Sequence, residues 1–116
     1  MKIAVTSQDR LTVTGHAGRC QRFWVYEVEG QRVSGRALLE VPLGETFHES
    51  HHAGPPGLAG VAALITGGMG AGLAARLQRQ GVAPVVTSET DPDRAVAGYL
   101  DGSLARLEPH AGHGHH

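Results

Sequence analysis

The sequence has one cysteine in 116 residues, only 4% aromatic side chains, and no dominant sign of charge. A lone cysteine forms no internal disulfide, which excludes a disulfide scaffold. Ten basic residues against eleven acidic ones leave a formal net charge of −1. A phosphate backbone calls for clustered Lys and Arg, so nucleic acid is not an expected partner. No apolar run approaches the roughly 20 residues that cross a bilayer, so no membrane span is expected. The stretch from Met1 to Arg10 turns polar too early for a signal peptide. The expectation is a cytoplasmic protein with a single core, since a chain of this size folds without staples.

Glycine and histidine are abundant instead, at 17 and 8 residues. Their positions matter more than their number. Ile3-Ala4-Val5 is a short apolar run that fits a buried first strand. Thr14-Gly15-His16-Ala17-Gly18-Arg19-Cys20 cannot form an amphipathic helix and reads as loop. From Phe23 to Glu29 the pattern alternates, with Trp24, Tyr26 and Val28 on one face and Phe23, Val25 and Glu27 on the other. Glu29-Gly30-Gln31 makes a turn, and Arg32 to Val41 returns as a strand with Ala37, Leu39 and Val41 sharing a face. Pro42 ends it for want of a ladder donor. Residues 44–60, broken by Pro55-Pro56-Gly57, read as a long loop with a helical turn.

Val61 to Thr66 is continuously apolar, as a central strand covered on both faces must be. It runs into Gly67-Gly68-Met69-Gly70-Ala71-Gly72. A helix to Gln80 follows, with Met69, Leu73 and Leu77 on the inner side and Arg76, Gln78 and Arg79 toward water. Gly81 supplies its stop. Val82 to Thr87 is a further strand, and Pro84 assigns it to an edge. Asp91 caps a last helix with Pro92 in its first turn, and Gly102 ends it. The closing strand–helix–strand–helix order implies a parallel pair, and the whole a mixed five-stranded α/β sheet.

Ligands of such sheets collect at the C-terminal ends of the parallel strands. Three segments are expected to meet there: Ser7 to Cys20, Gly67 to Gly72, and Thr87 to Asp91. Glycine lets backbone N–H groups approach a ligand, and a helix N-terminus favours an anion. Two standard motifs fail. Gly72 is followed by Leu73 and Ala74, not by the Lys-Ser/Thr of a P-loop, and Leu73 replaces the third small residue of a dinucleotide fingerprint. Gly67 to Gly72 also reads as a tight turn for close helix–sheet packing. His16 and Cys20 offer imidazole and thiolate to soft or borderline metals, although two ligands do not close a tetrahedral site. A buried small hydrophobe is the other reading of Cys20. His48-Glu49-Ser50-His51 is too short for a zinc-protease signature, and by composition the segment with His52 reads as a solvated polar loop more readily than as a fixed metal site. No Ser, His and acid fall in a recognisable catalytic arrangement, and the first strand lacks the carboxylates of a two-metal nuclease. An enzyme is not expected.

Five segments taken together resemble the nitrogenase iron–molybdenum cofactor accessory family, the NifX, NafY, NifB C-terminal and orange-protein type. They are Met1-Lys2-Ile3-Ala4-Val5-Thr6-Ser7, Gly15-His16-Ala17-Gly18-Arg19-Cys20, Phe47-His48-Glu49, Ile65-Thr66-Gly67-Gly68-Met69-Gly70 with Gly72, and Val86-Thr87-Ser88-Glu89-Thr90-Asp91-Pro92. The likeness spans roughly Met1 to Leu104. It implies a ribonuclease-H-like α/β domain, assigned to residues 1–108; residues 109–116, a His/Gly run with no core-forming side chains, read by composition as a flexible tail. It implies a non-catalytic carrier of an iron–molybdenum–sulfur cluster or its precursor, or of a Mo/Cu sulfide cluster, with cofactor-assembly proteins as partners. The implied cofactor-binding residues are His16, Arg19, Cys20, Gly67, Gly68, Met69 and Gly70, with His16, Cys20 and His48 as metal ligands. A monomer or weak homodimer is expected. The rival reading is a module for divalent or cuprous ions using His48, His51, His52 and the tail histidines 110, 113, 115 and 116.

Overall fold

The computed structural model describes residues 1–49 and 54–109. Five strands form one sheet: β1 (Lys2–Thr6), β2 (Arg22–Glu29), β3 (Arg32–Glu40), β4 (Val61–Thr66) and β5 (Ala83–Val86). Two helices accompany them, α1 (Ala71–Arg79) and α2 (Pro92–Asp101), with short 3-10 turns at Ala17–Arg19 and Leu43–Glu45. The spatial order is β3-β2-β1-β4-β5. β1, β4 and β5 run parallel, and β2 and β3 form an antiparallel hairpin against β1. This is the mixed five-stranded α/β sheet expected from the sequence. β5 lies at an edge, where the missing N–H of Pro84 costs no ladder bond.

The two faces of β2 separate as the alternation predicts. Phe23 joins one core cluster with Ala4, Leu64, Phe47 and Leu77; Tyr26 and Val28 join a second with Ile3, Val5, Ile65, Val85 and Val96. The first cluster lies under α1 and the loop after β3, the second under α2. β4 is therefore buried along nearly its whole length, as its apolar run requires.

The helix ends follow backbone chemistry. Asp91 accepts from the N–H groups of Asp93 and Arg94 and caps α2, with Pro92 at its start. At the end of α1, Gly81 has φ +80°; its N–H donates to the Gln78 carbonyl and that of Val82 to Leu77. This pair of bonds is a Schellman motif, and the left-handed residue in it favours glycine.

Two local expectations change. Arg76 does not point to water: it is half-buried, its Nη1 donates to the Phe47 carbonyl at 2.7 Å, and its guanidinium sits 5.8 Å from the Phe47 ring centroid. The loop after β3 folds back over α1 and supplies that carbonyl, which helical spacing alone does not reveal. The shared face of Ala37, Leu39 and Val41 is only partly covered. Val41 is buried and Leu39 packs on the first cluster, whereas Ala37 is exposed. No helix among the described residues is long and apolar enough to cross a membrane.

Candidate metal-cluster site

Each parallel strand ends in a buried threonine: Thr6 closes β1, Thr66 closes β4, and Thr87 follows β5. Thr6 Oγ1 lies 2.5 Å from the Thr14 carbonyl oxygen and 2.8 Å from Thr66 Oγ1. Thr66 Oγ1 is also 3.0 Å from the Thr14 carbonyl. The Thr14 N–H donates to the Thr6 carbonyl, and the Gly67 N–H to the Thr14 carbonyl. These bonds fasten the loop after β1 to the loop after β4. The Val13 N–H donates to the Thr90 carbonyl and ties the same loop to the segment after β5. All three expected segments thus meet, with residues 7–20 bonded to both of the others.

Two backbones lie side by side here, near enough that a Cβ on Gly15 or Gly67 would touch the other segment at ordinary contact distance. A Cβ on Gly15 would stand 3.6 Å from the Gly68 nitrogen, and one on Gly67 would stand 3.4 Å from the Thr14 carbonyl. The Ala17 N–H donates to the Gly68 carbonyl across this approach. A cavity of about 250 Å³ opens above it, lined by Gly15, His16, Ala17, Gly18, Gly67, Gly68, Met69 and Gly70. That is smaller than the roughly 300–1,000 Å³ of most ligand pockets. It can cradle one side of a cargo without enclosing it.

The candidate residues do not all reach this cavity. His16 stands exposed on its rim in a left-handed conformation, φ 53°. Met69 lines the floor and is buried. Arg19 is exposed in the adjoining 3-10 turn. His48 comes close through its backbone, donating to the Gly18 carbonyl at 2.6 Å, while its exposed ring lies 3.7 Å from Glu49 Oε2. Cys20, expected beside His16, is instead turned into the core. It is 3% exposed, packs in the first cluster, and donates its thiol to the Arg22 carbonyl at 3.0 Å. Burial pushes its thiol pKa up, against the smaller lowering by the hydrogen bonds around it. Metals bind thiolate, so this environment opposes ligation in the folded state. The backbone donors are also fewer than the glycine count suggests. The Gly67 N–H is taken by Thr14, and the Gly68 N–H lies 3.3 Å from Thr66 Oγ1.

The threonines were missed in the sequence, although a signal existed: every expected parallel strand ends in one. Among the described residues no group of three or more His, Cys, Asp or Glu is placed to hold a metal ion. His51, His52 and the histidines of the tail lie outside the described residues.

The sequence model described as dinitrogenase iron-molybdenum cofactor matches residues 1–102. The chain belongs to this family. Solved structures agree with that membership at the level of fold. The apo form of the orange protein from Desulfovibrio gigas is 22% identical with a TM-score of 0.68, and 93% of each chain is covered. A Thermotoga protein reported as a NifB protein is 21% identical with a TM-score of 0.65, over 91% of this chain and 92% of the other. A Methanocaldococcus jannaschii protein reported as a dinitrogenase is 12% identical with a TM-score of 0.66, over 94% and 96%. Among curated proteins no sequence matches this chain. The family match spans the whole sheet and both helices, and the cavity lies at the ends of β1 and β4 within it.

Proposed function

We propose that the protein is a non-catalytic carrier of an anionic metal–sulfide cluster, an iron–molybdenum–sulfur species or a Mo/Cu sulfide, which it passes to cofactor-assembly proteins. The family and the orange-protein likeness support the class of cargo. The observation that carries the reading is the meeting of two glycine loops on one shallow cavity rimmed by His16. In this reading His16 is the exchangeable ligand. Exposed Arg19 supplies positive charge, and the start of α1 behind Gly70 adds its dipole. Met69 offers a soft, polarisable floor. His48, tied to Gly18, completes the rim. Cys20 is a core residue beneath the turn, and its thiol meets cargo only when Ala17–Arg19 opens.

Anaerobic titration with a Mo/Cu sulfide cluster, read by visible absorbance with metal and sulfide analysis, tests this. His16→Ala is expected to weaken binding by about tenfold or more, the scale of losing an orienting group at a metal site. Cys20→Ala is expected to bind like the parent and to lose stability, since it empties a buried site. Equal binding by His16→Ala and the parent would remove the cavity as the site. Loss of binding in Cys20→Ala alone, with its fold intact, would move the site into the opened turn. Colourless protein holding one divalent ion would favour the ion-binding module instead.

A further inference from the structure

β3 is paired along its length on one side, yet Arg32 to Ala37 are exposed and only Leu38 and Leu39 are even half-covered. Its outer side is the free edge of the sheet. Such an edge is a template for another strand unless the protein blocks it. A bulge does interrupt the hairpin where the register shifts between Glu27 and Val28, opposite Val33–Gly35. Beyond it, Arg36 to Glu40 runs regularly.

The hydrogen-bonding sense of that stretch is fixed by its neighbours. The Val41 N–H donates to the Gln21 carbonyl, and the Ser7 N–H donates to the Arg22 carbonyl. In an antiparallel pair both backbone groups of a residue point the same way, and the direction alternates. Leu39 and Ala37 therefore face β2, while Arg36, Leu38 and Glu40 turn their N–H and C=O outward. We infer that these outward groups pair with the same segment of a second copy, giving a two-fold dimer whose axis passes beside Leu38.

Side-chain chemistry selects that register. With Leu38 opposite its own copy, Arg36 faces Glu40 and Glu40 faces Arg36. On the other face of the sheet Ala37 lies opposite Leu39. A cavity of about 350 Å³ lies there, lined by Val25, Ala37, Leu39 and Gly57 and also by the charged Lys2 and Glu27, and in this register the partner's Leu39 stands beside its apolar part. Centring the pair on Arg36 instead would oppose two guanidinium groups. Arg36 remains able to bond a partner carboxylate. It is held 4.0 Å over the Trp24 ring, and among the described residues it bonds Asp93 and Tyr26 through Nη1. Among the described residues Glu40 contacts Arg10 and Arg22 through Oε2. The pairing is short, so a weak, concentration-dependent dimer is expected. Residues 36–40 are not among those lining the cavity at the ends of β1 and β4, so the dimer test is read separately from cargo binding.

A residue on a two-fold axis faces itself, which gives a specific test. Sedimentation velocity over a concentration series is expected to show a reversible dimer for the parent protein. Leu38→Lys and Leu38→Glu each place like charges opposite one another and are expected to be monomeric at concentrations where the parent dimerises. Mixing the two in equal amounts is expected to restore the dimer. Far-UV circular dichroism of each variant confirms that β3 remains folded. A parent protein that stays monomeric up to millimolar concentration overturns the proposal. So does a dimer that persists in both variants, or one that mixing does not restore.

Discussion

β4 and β3 belong to the same sheet and meet opposite conditions. β4 is covered on both faces, and only Ala62 is less than buried. β3 shows solvent on both faces for most of its length and carries Arg32, Arg36 and Glu40. β4 ends in a hydroxyl that helps fasten two loops; β3 ends in a carboxylate that gathers two surface arginines. The difference separates two tasks. The interior strand fixes where its end points, so the loops above it keep their spacing. The edge strand contributes little to the core and presents charged side chains to solvent.

Truncation of one leucine from each strand tests the contrast most strongly. Leu64→Ala, at a fully buried position in β4, is expected to cost about 2–5 kcal/mol. Leu38→Ala in β3 is expected to cost less than about 1 kcal/mol, because its environment is already half solvent. Urea denaturation of both variants measures this directly. Equal losses would mean that β3 is covered in solution.

Thr66→Val probes the end of β4 while keeping its shape. It removes a hydroxyl within reach of Thr6, the Thr14 carbonyl and Gly68. A buried polar group left unsatisfied costs roughly 1–3 kcal/mol. The loss is expected in global stability and also locally, as faster hydrogen exchange at the Gly67 and Gly68 amides. A stable variant with unchanged exchange at both amides would show that the glycine contacts alone hold the loops together.

The contrast explains what the sequence disclosed. An interior strand leaves a strong mark: Val61 to Ile65 are all apolar, as burial on both faces demands. Asp91 before Pro92 and Gly81 after Gln80 are equally direct, since each meets a backbone need within a few residues. The loops at the strand ends were legible through their glycines. Side-chain direction was not. Cys20 follows a loop residue in αL conformation and a 3-10 turn, and that turn decides whether its thiol faces the cavity or the core. Arg76 meets a carbonyl 29 residues away in a loop whose path no local pattern specifies. Ala37, Leu39 and Val41 alternate like any half-buried strand, and whether their face is covered depends on that same loop.

Asp91→Ala is a smaller test on the covered side of the sheet. It removes the acceptor of the Asp93 and Arg94 N–H groups and is expected to cost about 1 kcal/mol. Tyr26 donates to Asp93 at 2.7 Å across the same face, so fraying of the first turn is expected to perturb the Tyr26 environment. Near-ultraviolet circular dichroism reads that change. An unaltered tyrosine band would show that packing of Ala95 and Val96 holds α2 without its cap.

The smallest effect distinguishes local order in the loop after β1 from its attachment to β4. Asp9 accepts from the Thr12 hydroxyl and from the N–H groups of Thr12 and Leu11. These bonds, the Thr12 hydroxyl foremost, lower its pKa from 3.8 to about 2. The folded value lies below the unfolded one, so the turn gains stability above about pH 4 and loses it as pH falls toward 2. Asp9 is fully exposed, so solvent screens this contribution and global stability is expected to move little. Carboxyl chemical shifts followed by NMR report the midpoint directly. Thr12→Ala is expected to return it toward 3.8, while Thr66→Val is expected to leave it near 2. If Thr66→Val also raised it, the turn at Asp9 would depend on the buried threonines, and the loop would be ordered from the strand end outward rather than by its own residues.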